Sequence, residues 1–376
     1  MKSTIGKASN VDKTILGRTT KAPRSILRRK GFILVQKSNQ KPSFGYSGVI
    51  STSLMDDIGL PAVSEISEDF YNNLHDDDII MIQQDGSVSV VWDVNSTQNS
   101  LLLSEACDCK CLMCPQPPKK HDQNQFILCV RVLDELTSNE VSSLCITGGE
   151  PTLNKENFLQ TLTKIRSKFN QANITVLTNA KGFTDFDYAK KCIIEGPSKI
   201  LYCVSLHADN DRDHDRIVGA SGSFQRTIKG ITNLAKLRAP IEIRFVINKI
   251  NYSRMKYFSS FVYRNFPFVS HVAFMGMEIM GLAEENMDDI WIDPFRYGQE
   301  VSTAVHDLAR TGIPVSIYNI PLCLLPERGW KFSRQSISAW KNNYLPQCDK
   351  CSVKEKCCGI FTSSVRQSEY INPIVP

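Results

Sequence analysis

The sequence predicts an α/β chain built on a barrel-like parallel sheet, with a small β-rich subdomain before it and a Cys-rich extension after it. Three observations carry this. From Leu101 onward, short apolar strands alternate with polar-apolar helical stretches, the pattern of successive βαβ units. Each of six strands is near-continuous in apolar residues, as suits a sheet covered by helices. After Pro321 the chain turns short, irregular and dense in cysteine.

Taken in order, residues 1–30 are rich in Lys, Arg, Ser and Thr with little apolar periodicity. They read as a basic flexible arm, with an acidic surface or nucleic acid as the functional alternative. Residues 31–95 form the β-rich subdomain. It opens on GFILVQ and continues with IIMIQQDGSVSVVWDV, where Asp85-Gly86 between two apolar runs is a hairpin signature. The core spans 96–312. Its strands are LLLSEA (101–106), SLCITGG (143–149), ITVLTNA (174–180), KILYCVSLHA (199–208), IEIRFVINKI (241–250) and HVAFMGMEIM (271–280). Between them, NKENFLQTLTKIRSKF (154–169) and GSFQRTIKGITNLAKL (222–237) read as helices. IPVSIYNI (313–320) is a seventh strand and opens the Cys-rich extension, 313–376.

With 376 residues and 42% hydrophobic content, the chain can bury a sizeable core, which excludes disorder as its overall state. No apolar run approaches the roughly 18 residues of a membrane span, and the polar, basic N-terminus lacks a secretory core. Residues 1–41 carry eleven Lys/Arg against Asp12 alone, so the net charge of +5 belongs to that segment and the remainder is acidic. Thirteen cysteines in a chain without an export signal point to metal or cluster ligation in a reducing, cytoplasmic setting rather than to disulfides. Cys129, Cys145, Cys192 and Cys203 stand alone in apolar surroundings and read as small core residues.

The tightest group is Cys107, Cys111 and Cys114, a C-x3-C-x2-C directly after the first strand. Structural zinc wants four ligands, and this triplet has no obvious fourth. A cubane [4Fe–4S] cluster on three cysteines leaves one iron open for a ligand. Cys109, inside the spacer, is a bystander or a competing ligand.

This motif resembles the radical S-adenosylmethionine (SAM) superfamily, whose other motifs recur in order. The resemblance implies a partial (β/α)6 TIM-like radical SAM barrel, with a [4Fe–4S] cluster on Cys107, Cys111 and Cys114 as the catalytic centre. It implies SAM contacts from Gly148, Gly149, Glu150 and Pro151, from Ser205 and His207 after the fourth strand, and from Arg216 and Arg244. Gly276, with Met277 and Gly281, resembles the segment that packs on adenine. Met113, where relatives often carry an aromatic residue, implies a thioether contact there. For Arg244 a salt bridge within the sheet competes, and for Ser205 and His207 a satisfied polar pair at a strand end.

Cys348-x2-Cys351-x5-Cys357, with Cys323 upstream, resembles the auxiliary-cluster (SPASM/twitch-like) extensions of radical enzymes that modify peptides. The resemblance favours Cys357 over the adjacent Cys358 and implies a second [4Fe–4S] cluster. A structural zinc site is the rival, since four cysteines satisfy its geometry.

Longer stretches resemble one branch, the C-type maturase of the His-Xaa-Ser repeat system. They are LLLSEACDCKCLMCPQPPK (101–119), LCITGGEPTL (144–153), SLHADNDRDHDRIVGASGSFQRTIKGI (205–231) and FSRQSISAWKNNYLPQCDKCSVKEKCCGIF (332–361). This resemblance implies reductive cleavage of SAM to a 5′-deoxyadenosyl radical that modifies a ribosomally made peptide or protein with His-Xaa-Ser repeats. It implies as partners a paired radical SAM maturase and a flavodoxin- or ferredoxin-type electron donor, and no membrane. Two alternatives stand beside it: a radical enzyme acting on a small molecule in cofactor biosynthesis, and a non-catalytic iron–sulfur or zinc scaffold.

Overall fold

The computed structural model describes residues 2–39, 44–56, 58–119, 125–335 and 342–375. Residues 336–341 of the 332–361 stretch lie outside them. The chain forms two compact units, Met1–Leu101 with Ile127–Ser143, and Leu102–Phe126 with Leu144–Pro376. No helix among the described residues is long and apolar enough to cross a membrane.

The first unit is an eight-stranded mixed sheet of β1 (Ser3–Ile5), β2 (Lys7–Ser9), β3 (Ile15–Thr20), β4 (Phe32–Gln36), β5 (Gly48–Ser51), β6 (Ala62–Ser64), β7 (Ile79–Ile82) and β8 (Ser87–Trp92). Its order is β1-β8-β7-β3-β4-β5-β6-β2. The two edge strands are separated by Gly6 alone, so one bent segment joins both edges of the sheet. Ile33, Val35, Ile50, Val63, Ile80, Ile82, Val88 and Val90 alternate into a common core, the period-two pattern of strands with one buried face. Helix α1 (Glu68–Asn73) starts where the Ser67 hydroxyl accepts from Phe70 N–H, and it drops Phe70 into that core. Asp85-Gly86 does close the β7–β8 hairpin: Gly86 has φ +84° and its N–H donates to Gln83 O.

The expected flexible arm is corrected by this sheet. Residues 3–5, 7–9 and 15–20 are strands, with Leu16, Thr19 and Thr20 buried. Their polar composition misleads because the polar groups are satisfied inside the unit. Thr19 Oγ1 donates to His75 O (2.5 Å), and Thr20 Oγ1 donates to Ala22 O (2.8 Å). Lys2, Arg18 and Arg24 pair with Asp93, Glu140 and Asp77 at 2.8, 2.7 and 3.0 Å.

The second unit is an eight-stranded sheet in strict sequence order, β9 (Ser100–Ser104), β10 (Ser143–Gly148), β11 (Asn173–Thr178), β12 (Ile200–Ser205), β13 (Ile241–Val246), β14 (His271–Met275), β15 (Val315–Tyr318) and β16 (Ser333–Arg334). From β11 to β16 every neighbouring pair is parallel. Its helices are α3 (Lys155–Phe169), α4 (Phe186–Glu195), α5 (Asp211–Val218), α6 (Ser223–Lys236) and α7 (Met255–Asn265), whereas α2 (Gln125–Glu135) belongs largely to the first unit. Two single turns follow, α8 (Leu282–Glu285) and α9 (Met287–Ile290), then α10 (Gly298–Arg310). This is an α/β fold on a parallel sheet.

Alternation along the strands separates two faces. Tyr202, Phe245 and Phe274 point toward the helices: Phe245 lies 4.4 Å from Phe258 of α7 and 5.4 Å from Phe274, centroid to centroid. The alternate residues Leu201, Ser205, Arg244, His271 and Tyr318 are only half-buried. That polar face is what the fold leaves open to chemistry. Phe245→Ala should empty a fully buried aromatic site and cost about 3–5 kcal/mol. Urea unfolding checks it; a midpoint within error of the parent would show that this cluster does not anchor the sheet.

Candidate functional site

The loop that follows β9 carries Cys107, Cys109, Cys111 and Cys114, and its backbone is fixed from three sides. Gly149 N–H donates to Ser104 O (2.7 Å) and Glu150 N–H to Ala106 O (2.9 Å), which ties the loop after β10 to its root. Lys110 and Leu112 N–H donate to Val218 and Ile217 carbonyls at the end of α5 (3.0 and 2.9 Å). Leu282 N–H donates to Cys114 O (2.9 Å). Two of these approaches need glycine. A Cβ on Gly149 would collide with Ala106 O, and one on Gly281, at φ +59°, with the Cys114 and Pro115 carbonyls.

Cys107, Cys111 and Cys114 are each half-buried, whereas Cys109 is buried. The Cys107 and Cys111 thiols both hydrogen-bond the Cys109 sulfur, which lowers the Cys109 pKa far below the usual thiol value and raises those of its two neighbours. Lys181, which sequence reasoning missed, reinforces this. Its side chain is 3% exposed, and its Nζ lies 3.0 Å from Cys109 Sγ and 2.9 Å from Asp108 Oδ2. Asn179 Nδ2 donates to Asp108 Oδ1 (2.9 Å). No local pattern marks it: Lys181 stands in TNAKGF beside the polar Thr178 and Asn179.

The remaining predicted residues divide. Gly148, Gly149 and Pro151 lie beside the cysteine loop, and Ser205 ends β12 opposite Arg244 in register. Glu150 is 2% exposed and internally satisfied: its carboxylate accepts from Thr152 N–H and Oγ1, Thr178 Oγ1 and Asn179 N–H at 2.6–2.9 Å. Burial raises its pKa despite those bonds. It braces the loops after β10 and β11. His207 is likewise a buried framework residue, its Nδ1 accepting from Val246 N–H (3.3 Å); burial and then His214 push its pKa down to about 3. Met113 packs among Ile217, Ala283 and Ile290. Arg216 is exposed on α5, and Gly276 closely abuts Asn319 O.

Comparison with known proteins bears on the family reading. Residues 101–258 match the family model described as the radical SAM superfamily. The match supports the radical SAM superfamily. Among curated proteins, probable GTP 3′,8-cyclases of Saccharolobus islandicus (strain L.S.2.15 / Lassen #1) and Saccharolobus solfataricus are each 27% identical over 157 residues. That is 40% of this chain, and it spans about half (48%) of each relative. Among solved structures, Streptococcus suis SuiB bound to S-adenosylmethionine aligns at TM-score 0.45 and 17% identity, over 59% of this chain and 50% of that one. anSMEcpe with bound AdoMet and Cp18Cys peptide aligns at TM-score 0.43 and 20% identity, over 58% and 63%.

Radical SAM proteins use a [4Fe–4S] cluster and S-adenosylmethionine, and the thiols of this loop fit the cluster. The donor set is soft: several thiols converge from one short loop that its neighbours pin at alternate residues. Beside it, Gly148 and Gly149 let the turn after β10 press against the backbone of Ser104 and Ala106.

The tail builds a second thiol group. Cys323, Cys348, Cys351 and Cys357 line one cavity with Tyr344 and Asn372, and Cys358 is not among its lining residues. Backbone N–H groups of Leu322 and Gly359 approach Cys357 Sγ at 3.4 Å, and that of Ile374 approaches Cys351 Sγ at 3.4 Å. The Cys358 thiol, with these amides, lowers the Cys357 pKa to about 6.

On the open face of the sheet, Arg244 Nε donates to Glu242 Oε1 (2.6 Å), Glu242 Oε2 meets His271 Nδ1 (2.9 Å), and His271 Nε2 meets Ser316 Oγ (3.0 Å). The salt bridge within the sheet is therefore present. Burial alone would raise the Glu242 pKa, but His271 and Arg244 outweigh it and hold it at about 2. A depressed carboxyl pKa gives stability that is complete above the unfolded value of about 4.5 and is lost as pH falls toward 2. Glu242→Gln should therefore be less stable than the parent at neutral pH, by on the order of 2 kcal/mol, with the gap closing between pH 4.5 and 2. Urea midpoints across that range check it; a pH-independent gap would contradict it.

Proposed function

We propose that this radical SAM enzyme modifies a ribosomally made peptide or protein, of the His-Xaa-Ser repeat type. The observation that supports the reading is the second thiol cavity, four cysteines in the spacing found in peptide-modifying relatives, on a chain whose motifs from 101 to 361 resemble the C-type His-Xaa-Ser maturase. A [4Fe–4S] cluster with one open iron supplies, when bound, the electron and the coordination site for reductive cleavage of SAM.

The chain's residues divide the remaining work. Cys107, Cys111 and Cys114 hold the cluster, and Lys181 with Asn179 fixes Asp108 and Cys109 beside it. The Gly148–Pro151 turn and Ser205 border the SAM site, while Glu150 keeps the loops after β10 and β11 in register. Arg244, steadied by Glu242 and His271, faces the half-open side of the sheet. Cys323, Cys348, Cys351 and Cys357 hold an auxiliary [4Fe–4S] cluster that positions the substrate or takes up its electron. A paired maturase and a flavodoxin- or ferredoxin-type donor complete the system.

A second reading, a radical enzyme acting on a nucleotide, is favoured by the 27% identity to GTP 3′,8-cyclases. Anaerobically reconstituted protein with dithionite and SAM separates the readings. The peptide reading predicts 5′-deoxyadenosine and a mass shift on the small His-Xaa-Ser protein, with GTP unchanged. Consumed GTP would favour the second reading, and absence of 5′-deoxyadenosine would overturn both.

Cys111→Ala should lose cluster absorbance and 5′-deoxyadenosine formation while circular dichroism is retained, since the sheet core does not include this loop. Cys109→Ser should keep its iron. An active Cys111→Ala would refute the ligand assignment. Cys348→Ala with Cys351→Ala should lower iron by about half, leave SAM cleavage intact and abolish peptide modification. Unchanged iron with lost zinc would make the tail a zinc site.

A further inference from the structure

The first unit holds a donor set unrelated to the thiols. His75 lies in the segment between α1 and β7, Asp78 immediately precedes β7, and Asp93 immediately follows β8. His75 Nδ1 stands 3.6 Å from Asp78 Oδ2 and 3.9 Å from Asp93 Oδ1, and one ligand atom from each of the three lies within 4.8 Å of the others. That imidazole nitrogen is sealed from solvent and makes no hydrogen bond, although the outer part of the ring is exposed. Asp78 is fully buried.

The separations discriminate between two explanations. A charged His–Asp pair closes to hydrogen-bond distance, about 2.7–3.2 Å. Two donors sharing a metal ion at bonds of about 2.0–2.2 Å stand about 3.3–3.6 Å apart in a tetrahedral arrangement. Both observed spacings exceed the first range; 3.6 Å reaches the upper end of the second, and 3.9 Å lies about 0.3 Å above it.

The other contacts hold the donors in place. Asp78 Oδ2 accepts from His75 N–H (2.8 Å) and Oδ1 from Val94 N–H (3.0 Å). Asp93 Oδ1 accepts from Asn95 N–H (3.0 Å), and Oδ2 pairs with Lys2 Nζ (2.8 Å). One hydrogen bond per oxygen leaves a lone pair on each. Two carboxylates against one ammonium leave net negative charge for a cation.

We propose that His75, Asp78 and Asp93 form a binding site for a divalent first-row transition ion of the Mn2+ or Zn2+ class. One imidazole and two carboxylates are the donors such ions accept, and they differ from the soft thiols of the second unit. Binding uses the Nδ1 lone pair of the imidazole, and no redox step is involved. The ion ties the segment before β7 to the segment after β8, and through Lys2 it anchors the β1 edge.

Mn2+ tests this cleanly, because it binds thiolates weakly. The 376-residue chain, anaerobically reconstituted and washed with chelator, is titrated with MnCl2 while the free-ion EPR signal is followed. One Mn2+ per chain should be sequestered, with an imidazole 14N coupling in the echo-modulation spectrum. His75→Ala and Asp93→Asn should each weaken binding by about tenfold or more. An undiminished free-ion signal, absent 14N coupling, or unchanged binding in both variants would overturn the site. The 14N coupling is read on the parent protein, so it decides the question even if a variant fails to fold. None of these readouts depends on SAM cleavage.

Discussion

The second unit depends on one constraint: a loop of four cysteines must be held at the edge of the sheet without strands or helices of its own. Backbone hydrogen bonds do this from three directions. The turn after β10 grips its root through Ser104 and Ala106, the end of α5 takes Lys110 and Leu112, and Leu282 takes Cys114. Such bonds need close backbone approach, which explains glycine at 149 and 281. They also use α5 carbonyls that a helix end would otherwise leave without partners. The thiols are thereby positioned before any ligand arrives, and ordering them costs little when one does.

Charge is managed by the same economy. Asp108 and the Cys109 sulfur face one buried ammonium, Lys181, while Glu150 is neutralised by hydrogen bonds rather than by a cation. On the open face of the sheet, Glu242 joins Arg244 and His271 into a chain that ends at Ser316. Each of these charges is paired or hydrogen-bonded, as low dielectric demands. Arg244 therefore presents a fixed guanidinium rather than a searching one.

The strands of the second unit were legible because a helix-covered parallel sheet writes itself as apolar runs, and each of the seven expected runs contains one. Their ends were not. LLLSEA was expected to extend to Ala106, but β9 stops at Ser104, whose carbonyl already accepts from Gly149. The two-residue strand β16 has too few residues to show a period. Residues 1–30 were misread because Lys2, Arg18 and Arg24 find acids far away in sequence, and composition sees only the bases. At the site, motif order located the cysteine loop and the turn beside it, but motifs do not record orientation. Glu150, His207 and Met113 all turn into the protein, and Lys181 was invisible because its partners lie about 70 residues earlier.

The central claim is that the cysteine loop presents a three-thiolate [4Fe–4S] cluster whose open iron meets S-adenosylmethionine. EPR of the dithionite-reduced, reconstituted Cys348→Ala/Cys351→Ala chain, with and without methionine-labelled (15N, 17O) SAM, tests it most directly, because one cluster then contributes alone. The account predicts a shifted cluster signal and hyperfine coupling from the labelled amino and carboxylate groups. An unshifted signal without coupling, from a chain that retains its iron, would contradict it.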